Sequence, residues 1–398
     1  MSYRISTASF HGDTVNRMLS RQADLSKTQE QLASGQRIHS PADDPVAATR
    51  ILDMERQRSQ LNQFGTNAEV LNSRLTLTEQ AFADANGVIN RIREITLQAS
   101  GPSVETSARK TLVAELDTRK QELMDIANRT DANGEYLFSG LSTKTRPFAA
   151  VGSLNGYFGD QGVRVLQIGT DQKIADGFSG EKVFRSIAQG NGTFAVGQGV
   201  HVGASSIDAG VVVDPSLWVA GNYSLNFTAS DTWQVVNSAN AVVASGSYSS
   251  GSVISFNGAQ VKVTGTPAAG DTYTISPANT QDVFSSIDTL RNSLSGAADT
   301  AVSRAALTTT LQQSLVQLDN GLANISSLRA ELGTRMSTIA TTQSVRQAAS
   351  DELTGAVGKL RDVDYAEAVS RMNQQMLGLQ AAQSAYSRIA QLSLFNYL

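Results

Sequence analysis

The sequence predicts an α+β fold, an elongated α-helical bundle or coiled coil built from both chain ends with an all-β domain inserted between them. Three observations lead there. Of the 32 glycines, 19 fall between residues 141 and 280, together with both tryptophans, Trp218 and Trp233. The flanks are instead rich in Leu, Gln, Arg, Ala and Glu. Each flank also carries a long apolar stripe at alternating spacings of three and four residues, the a/d pattern that keeps one seam of a helix turned toward a partner. With 398 residues and 40% hydrophobic content, the chain can bury ordinary cores and divide into roughly two or three domains.

From the N-terminus, residues 15–32 place Val15, Gln22 and Gln29 at one heptad position and Met18, Leu25 and Leu32 at the other. That stripe is short and polar, and an isolated helix of such length is marginal in water. The stretch QLASGQRIHSPADDPVAATRI, residues 31–51, then joins two helices. Gly35 supplies the left-handed conformation that ends the first, Pro41 keeps the connector extended, and Asp44-Pro45 opens the second with a capping carboxylate and a proline at the first helical position. Asp43 and Asp44 are adjacent and so diverge in direction, which makes them turn and cap residues rather than a pair of catalytic acids.

From Leu61 the walk through Phe64, Ala68, Leu71, Leu75, Thr78, Phe82, Ala85, Ile89, Ile92, Thr96 and Ala99 is polar only at the two threonines. A helix of about 40 residues spans about 60 Å at 1.5 Å per residue. Gly101-Pro102 should end it, because proline cannot continue the hydrogen-bond ladder. A second helix is expected over residues 107–130, burying Leu112, Leu116, Leu123 and Ile126. In the middle, residues 186–281 carry only Asp208, Asp214, Asp231, Lys262 and Asp271 as charges, a strand-and-turn composition. Period-two alternation appears at Tyr223, Leu225 and Phe227, at Trp233 and Val235, and at Val261 and Val263, and Asn257-Gly258 suits a two-residue type I′ hairpin.

The second arm repeats the seam through Leu311, Leu315, Leu318, Leu322, Ile325, Leu332, Met336 and Ile339, resuming at Leu353, Val357 and Leu360, with interruptions at Arg329, Gln343, Arg346 and Ser350. The economical solution is that the two arms cover each other in a hairpin-like rod. Near the C-terminus Tyr365, Val369, Met372, Met376, Leu379 and Tyr386 form a last stripe. Either the two chain ends pair with each other or they order only against other subunits. The latter predicts that both are largely disordered in a free monomer. Three domains follow: residues 1–45 plus 362–398 as a terminal coiled-coil assembly domain with its connector, 46–140 plus 281–361 as a helical rod domain, and 141–280 as the β domain.

Several chemistries are excluded. Net charge is −4 with no run of Lys and Arg, so neither nucleic acid nor an anionic membrane is an expected partner. There is no cysteine, hence no disulfide, thiolate metal site or thiol nucleophile. His11, His39 and His201 lie apart and without ligand-spaced neighbours, and no phosphate-binding loop or nucleophile elbow occurs, so no metal, cofactor or catalytic residue is expected. No apolar run could span a bilayer, and residues 1–18 lack the apolar core of a general secretory signal.

LASGQRIHSPADDPVAATRI near one end and RDVDYAEAVSRMNQQMLGLQAAQSAYSRIAQLSLFNYL at the other resemble the corresponding terminal segments of the bacterial flagellin family. The resemblance covers roughly residues 1–140 and 281–398. Pro45 directly after Asp44, the passage DANGEYLFSGLSTKTRPF over residues 131–148 and the closing LFNYL are more like the family's hook–filament junction members than its filament flagellins. The resemblance implies a non-enzymatic structural subunit of an extracellular flagellum, exported unfolded through the flagellar type III apparatus with an address in roughly the first 20 residues. It implies as partners further copies in a ring, an adjacent hook-associated protein, flagellin, and an export chaperone on the C-terminal segment. Val15, Met18, Leu25, Leu32, Arg37, Asp43, Asp44, Tyr365, Val369, Met372, Met376, Leu379 and Tyr386 are its expected subunit-interface residues, with the three charged ones in a spoke-like contact between neighbours. The alternatives are a filament flagellin and, from another class, a surface adhesin or enzyme whose β domain carries a site.

Overall fold

The computed structural model describes residues 7–101, 104–151 and 154–391. Helices from both ends flank a strand-rich middle, as the α+β reading requires. They are α1 (Thr7–Ser34), α2 (Pro45–Ala99), α3 (Thr106–Ala127), α4 (Val283–Gly296), α5 (Ala301–Arg361) and α6 (Tyr365–Gln391). The chain divides into two compact units, Met1–Thr66 with Thr341–Leu398 and Asn67–Ala340, and α2 and α5 contribute to both.

In the unit of Asn67–Ala340 the α2 seam is buried: Leu71, Leu75, Phe82, Ala85, Ile89 and Ile92 are all shielded from solvent. Burial is wider than a single seam, because Ala81, Val88 and Ile95 are covered as well. A helix enclosed on more than one side belongs to a bundle, and the main core draws on α2 through α5, including Leu116, Leu123, Leu290, Leu311, Leu318 and Ile325. The two polar seam positions are reconciled with burial by bonding backward, Thr78 Oγ1 to Arg74 O at 2.9 Å and Thr96 Oγ1 to Ile92 O at 2.8 Å. Pro102, the expected stop of α2, lies outside the described residues. α5 runs unbroken through Arg329, where the apolar pattern lapses, and there Arg329 Nε bonds Glu79 Oε1 at 2.9 Å.

The strands are β1 (Phe148–Val151), β2 (Leu154–Tyr157), β3 (Val165–Gln167), β4 (Lys173–Ala175), β5 (Ile187–Ala188), β6 (Phe194–Gln198), β7 (Ala204–Ile207), β8 (Val211–Val212), β9 (Tyr223–Ala229), β10 (Thr232–Asn237), β11 (Val242–Ser247), β12 (Val253–Phe256), β13 (Ala259–Thr266), β14 (Thr272–Pro277) and β15 (Thr280–Gln281). They serve three cores among the described residues. Phe148, Phe178, Phe184 and Ile187 join the helical core, where Phe138, Phe148, Phe184 and Phe284 form an aromatic cluster with centroids 5.3–5.8 Å apart. Ile168 and Ile174, beside and within the β3–β4 hairpin, pack with Leu71, Leu75 and Ile339. From Phe194 to Ile275 the chain builds its own core between a five-stranded sheet, ordered β11-β10-β9-β14-β6, and a second sheet, β12-β13-β7, with β8 also on β13. All pairings are antiparallel. The alternation read in β9 is real, with Tyr223, Leu225 and Phe227 buried, and Asn257 and Gly258 have φ of 43° and 76°, so both central turn residues of the β12–β13 hairpin are left-handed.

The unit of Met1–Thr66 and Thr341–Leu398 is built from α1, α6 and the adjoining parts of α2 and α5. Among the described residues its one clustered core is small: Ile38, Ala47, Ala48, Ile51 and Val357, with Met54 and Leu360 against it. Arg346, another lapse in the pattern, lies across Gly65 of α2 and reaches Leu61 O at 3.4 Å. A side chain at Gly65 would occupy the guanidinium's place.

Candidate functional site

The connector between α1 and α2 is held by local chemistry first. Gly35 has φ of +74° and its N–H bonds Gln31 O at 2.9 Å, closing α1. Asp44 Oδ1 accepts from Ala47 N at 3.0 Å, so it caps α2 one residue ahead of Pro45. Asp43 Oδ2 takes the backbone N–H of His39 at 3.0 Å and of Ser40 at 2.9 Å, while its Oδ1 meets Lys27 Nζ at 2.6 Å. The lysine, then those amides, hold the Asp43 carboxyl well below the usual carboxylate range. Both acids are thus joint residues.

A second connector, residues 362–364 between α5 and α6, lies with the end of α5 against the first. Gln36 and Asp362 form an antiparallel bridge, Arg37 N bonds Arg361 O at 2.6 Å and Val363 N bonds Gly35 O at 3.0 Å. Arg37 adds a side-chain bond to Leu360 O at 2.8 Å and stands 3.6 Å from Asp44. Periodicity and cap chemistry mark only the first connector in the sequence, because a two-residue bridge between connectors has no periodicity.

α1 and α6 pack along each other, which realises the first of the two alternatives for the chain ends within a single chain. The expectation that both ends are disordered in the monomer is not what the described residues show. The packing line differs from the sequence stripes. On α6 it runs through buried Ala368 and half-buried Met372, Leu379 and Tyr386, whereas Tyr365, Val369 and Met376 stay exposed on the flank. On α1, Met18, Leu25 and Leu32 are half-buried and Val15 is exposed, while the fully buried residues are Thr28 and Gln31. Counting apolar residues misses those two, since Thr28 satisfies itself on Asp24 O at 3.0 Å and Gln31 donates to Arg37 O at 2.8 Å. Leu19 and Leu377 are also exposed, at 58% and 66%. The pair therefore retains apolar surface that it does not cover itself.

Among the described residues no group of His, Cys, Asp and Glu is arranged to hold a metal, and no helix is long and apolar enough to cross a membrane. The closing LFNYL and the first six residues of the expected export address lie outside the described residues.

Family models of the bacterial flagellin N-terminal and C-terminal helical regions match residues 5–143 and 315–398. The middle segment, to which the sequence reading assigned no relative, is matched over residues 202–277 by the D2-like domain of flagellar hook-associated protein 1. Flagellar hook-associated protein 3 of Escherichia coli is 23% identical over 393 residues, 99% of each chain. Its Salmonella typhimurium counterpart is 27% identical over 184 residues, 46% of this chain and 57% of the relative. The crystal structure of flagellar hook associated protein-3 from Legionella pneumophila aligns with a TM-score of 0.75 at 30% identity, over 78% of this chain and 98% of that one. FlgL of Xanthomonas campestris gives 0.73 at 30% identity, over 77% and 99%. With both flagellin regions matched in order at the two chain ends, and solved relatives 30% identical over nearly their whole length, the chain belongs to the flagellin family, in the branch of hook-associated protein 3, the flagellar junction protein.

Proposed function

We propose that this chain is the structural subunit joining the hook-associated region of the bacterial flagellum to its flagellin filament, a non-enzymatic protein working as a ring of copies outside the cell. The observation that carries the reading is the paired α1 and α6, which lie within the two flagellin regions and leave Val15, Leu19, Tyr365, Val369, Met376 and Leu377 exposed. Neighbouring copies, the adjacent hook-associated protein and flagellin are the partners for that surface, with Arg37, Asp43 and Asp44 at its connector. Before assembly an export chaperone shields the C-terminal segment, and the chain leaves the cell through the flagellar export apparatus. The test is a deletion strain viewed by electron microscopy: hooks should persist without filaments while flagellin is shed into the medium, and restored flagella should carry few copies of this chain. Filaments built without it would overturn the assignment. A filament flagellin is the second reading, favoured by a Clostridium tyrobutyricum flagellin 23% identical over 92% of this chain and 93% of its own; an abundance matching the filament's would select it.

A further inference from the structure

The two-sheet domain and the helical body of the same unit meet across a cavity of about 270 Å³. Its walls contain no charged side chain, and they are small or polar: β6 and Thr274 on one side, Ser286, Gln313, Ser314 and Gln317 of α4 and α5 on the other. Gln317 is only 6% exposed, yet its Nε2 has no protein partner, and neither does Nε2 of Gln313. Buried amide donors left unpaired by protein are met by water, and a space of this size has room for several molecules.

The direct ties across the boundary are few and polar. Both chain crossings run side by side as β5 and β15, which pair Ala188 with Thr280 and Ile187 with Gln281, with Gln189 N bonding Asn279 O at 2.8 Å. Asn320 of α5 donates to Ala188 O and Gly190 O, each at 2.8 Å, beside those crossings. Farther along α5, Ile207 N bonds Thr309 Oγ1 at 3.1 Å. The apolar cores stop on either side, one ending at Ile187 and the other beginning at Phe194.

We infer that this wet, uncharged seat is a joint: the two-sheet domain pivots about the β5–β15 ladder over the helical body, exchanging water-bridged contacts as it moves. Interlocked apolar surfaces resist small displacements, whereas a hydrogen bond relayed through water is replaced by another at little cost. Resting on the proposed junction role, the joint lets the two-sheet domain adjust to unlike neighbours while the helical body stays fixed.

The chain has no cysteine, so spin labels can be placed without background. Labels on exposed Ser245→Cys and Thr118→Cys span the joint; Ser245→Cys with Ser255→Cys, and Thr118→Cys with Ser326→Cys, report each side alone. In the full-length protein the spanning pair should give a distance distribution about twice as broad as either control. Filling the seat with Ala195→Leu and Ala209→Leu should narrow it to the width of the controls. A spanning distribution already as narrow as the controls overturns the joint, and that measurement needs no filled variant. Undiminished breadth in a folded, filled variant overturns the role of the water.

Discussion

Gly35 must be glycine for its backbone: φ is +74°, while the Tyr365 hydroxyl, 2.9 Å from a Cβ placed there, is the movable end of an exposed side chain. Gly35→Ala should therefore cost about 1–2 kcal/mol from the left-handed backbone. Gly12→Ala, in α1 with nothing within 4 Å of the added carbon, should go the other way by about 0.5–1 kcal/mol. Thermal melts of the two variants check the pair of signs. Asp43 makes the connector acid-sensitive. Its folded pKa is depressed by Lys27 and the His39 and Ser40 amides, so its contribution is present above the ordinary value of 3.8 and is lost as pH falls below it toward the folded pKa. Melting temperature followed from pH 5 downward should drop less steeply in Asp43→Asn than in the parent. Residues of this kind were legible in the sequence because a helix end states its backbone chemistry locally, as Gly35 and Asp44-Pro45 do. Thr28, Gln31 and the bridge partner Asp362 were not, because their roles depend on what lies across the pair rather than on their neighbours in sequence.

The element α2 offers the cleanest contrast between faces. Leu75 is 0% exposed and packs with Ile168, Ile174 and Ile339, whereas Ser73 points to solvent. Leu75→Ala should cost about 2–5 kcal/mol and Ser73→Ala less than about 0.5 kcal/mol, read from denaturant midpoints. α6 makes a subtler case. Met372 lies on the line that meets α1 and Met376 on the flank. A single Met376→Asp should leave the monomer's melt unchanged while blocking incorporation into flagella, and Met372→Asp should weaken the α1–α6 pair even in the monomer. Circular dichroism melts with a motility complementation assay separate the two. The sequence stripe had put both methionines on one face, since residues four apart do share a side of a helix. Which of two flanking lines is turned inward is decided by the partner, and α1, whose buried positions Thr28 and Gln31 are polar, leaves the apolar pattern without a clear phase. Strands β9 and β13 were easier, because two-fold alternation leaves only one inward face. The attachment of β3, β4 and residues 178–187 to the helical core escaped the composition argument, which groups them with the glycine-rich middle although their apolar side chains complete the bundle.

At the scale of the whole molecule, burial is distributed very unequally. Among the described residues, the unit of Asn67–Ala340 holds three of the four clustered cores, and its helices are enclosed on several sides. In the other unit, α1 and α6 bury only Thr28, Gln31 and Ala368 among their described residues, two of them polar and the third an alanine. The area gained by that pairing is small, and fixing roughly 28 residues of each helix costs backbone entropy on the order of 1 kcal/mol or more per residue before packing and hydrogen bonds offset it. The pair is thus formed yet weakly held, a condition suited to the proposed export as an unfolded chain and reordering against neighbours. Stability of this kind is local, so it should be visible as local opening. In amide hydrogen exchange on the purified monomer, residues 12–30 and 370–388 should exchange orders of magnitude faster than residues 71–95, with the connector residues 35–37 and 361–363 intermediate because they are bridged to each other. On incorporation into flagella the terminal segments should become as slow as the bundle, since their exposed apolar side chains then gain cover. Equal, strong protection of α1, α6 and α2 in the free monomer would show that the pair is stable by itself, and the assembly-coupled ordering would then have to be abandoned even though membership of the junction branch would stand.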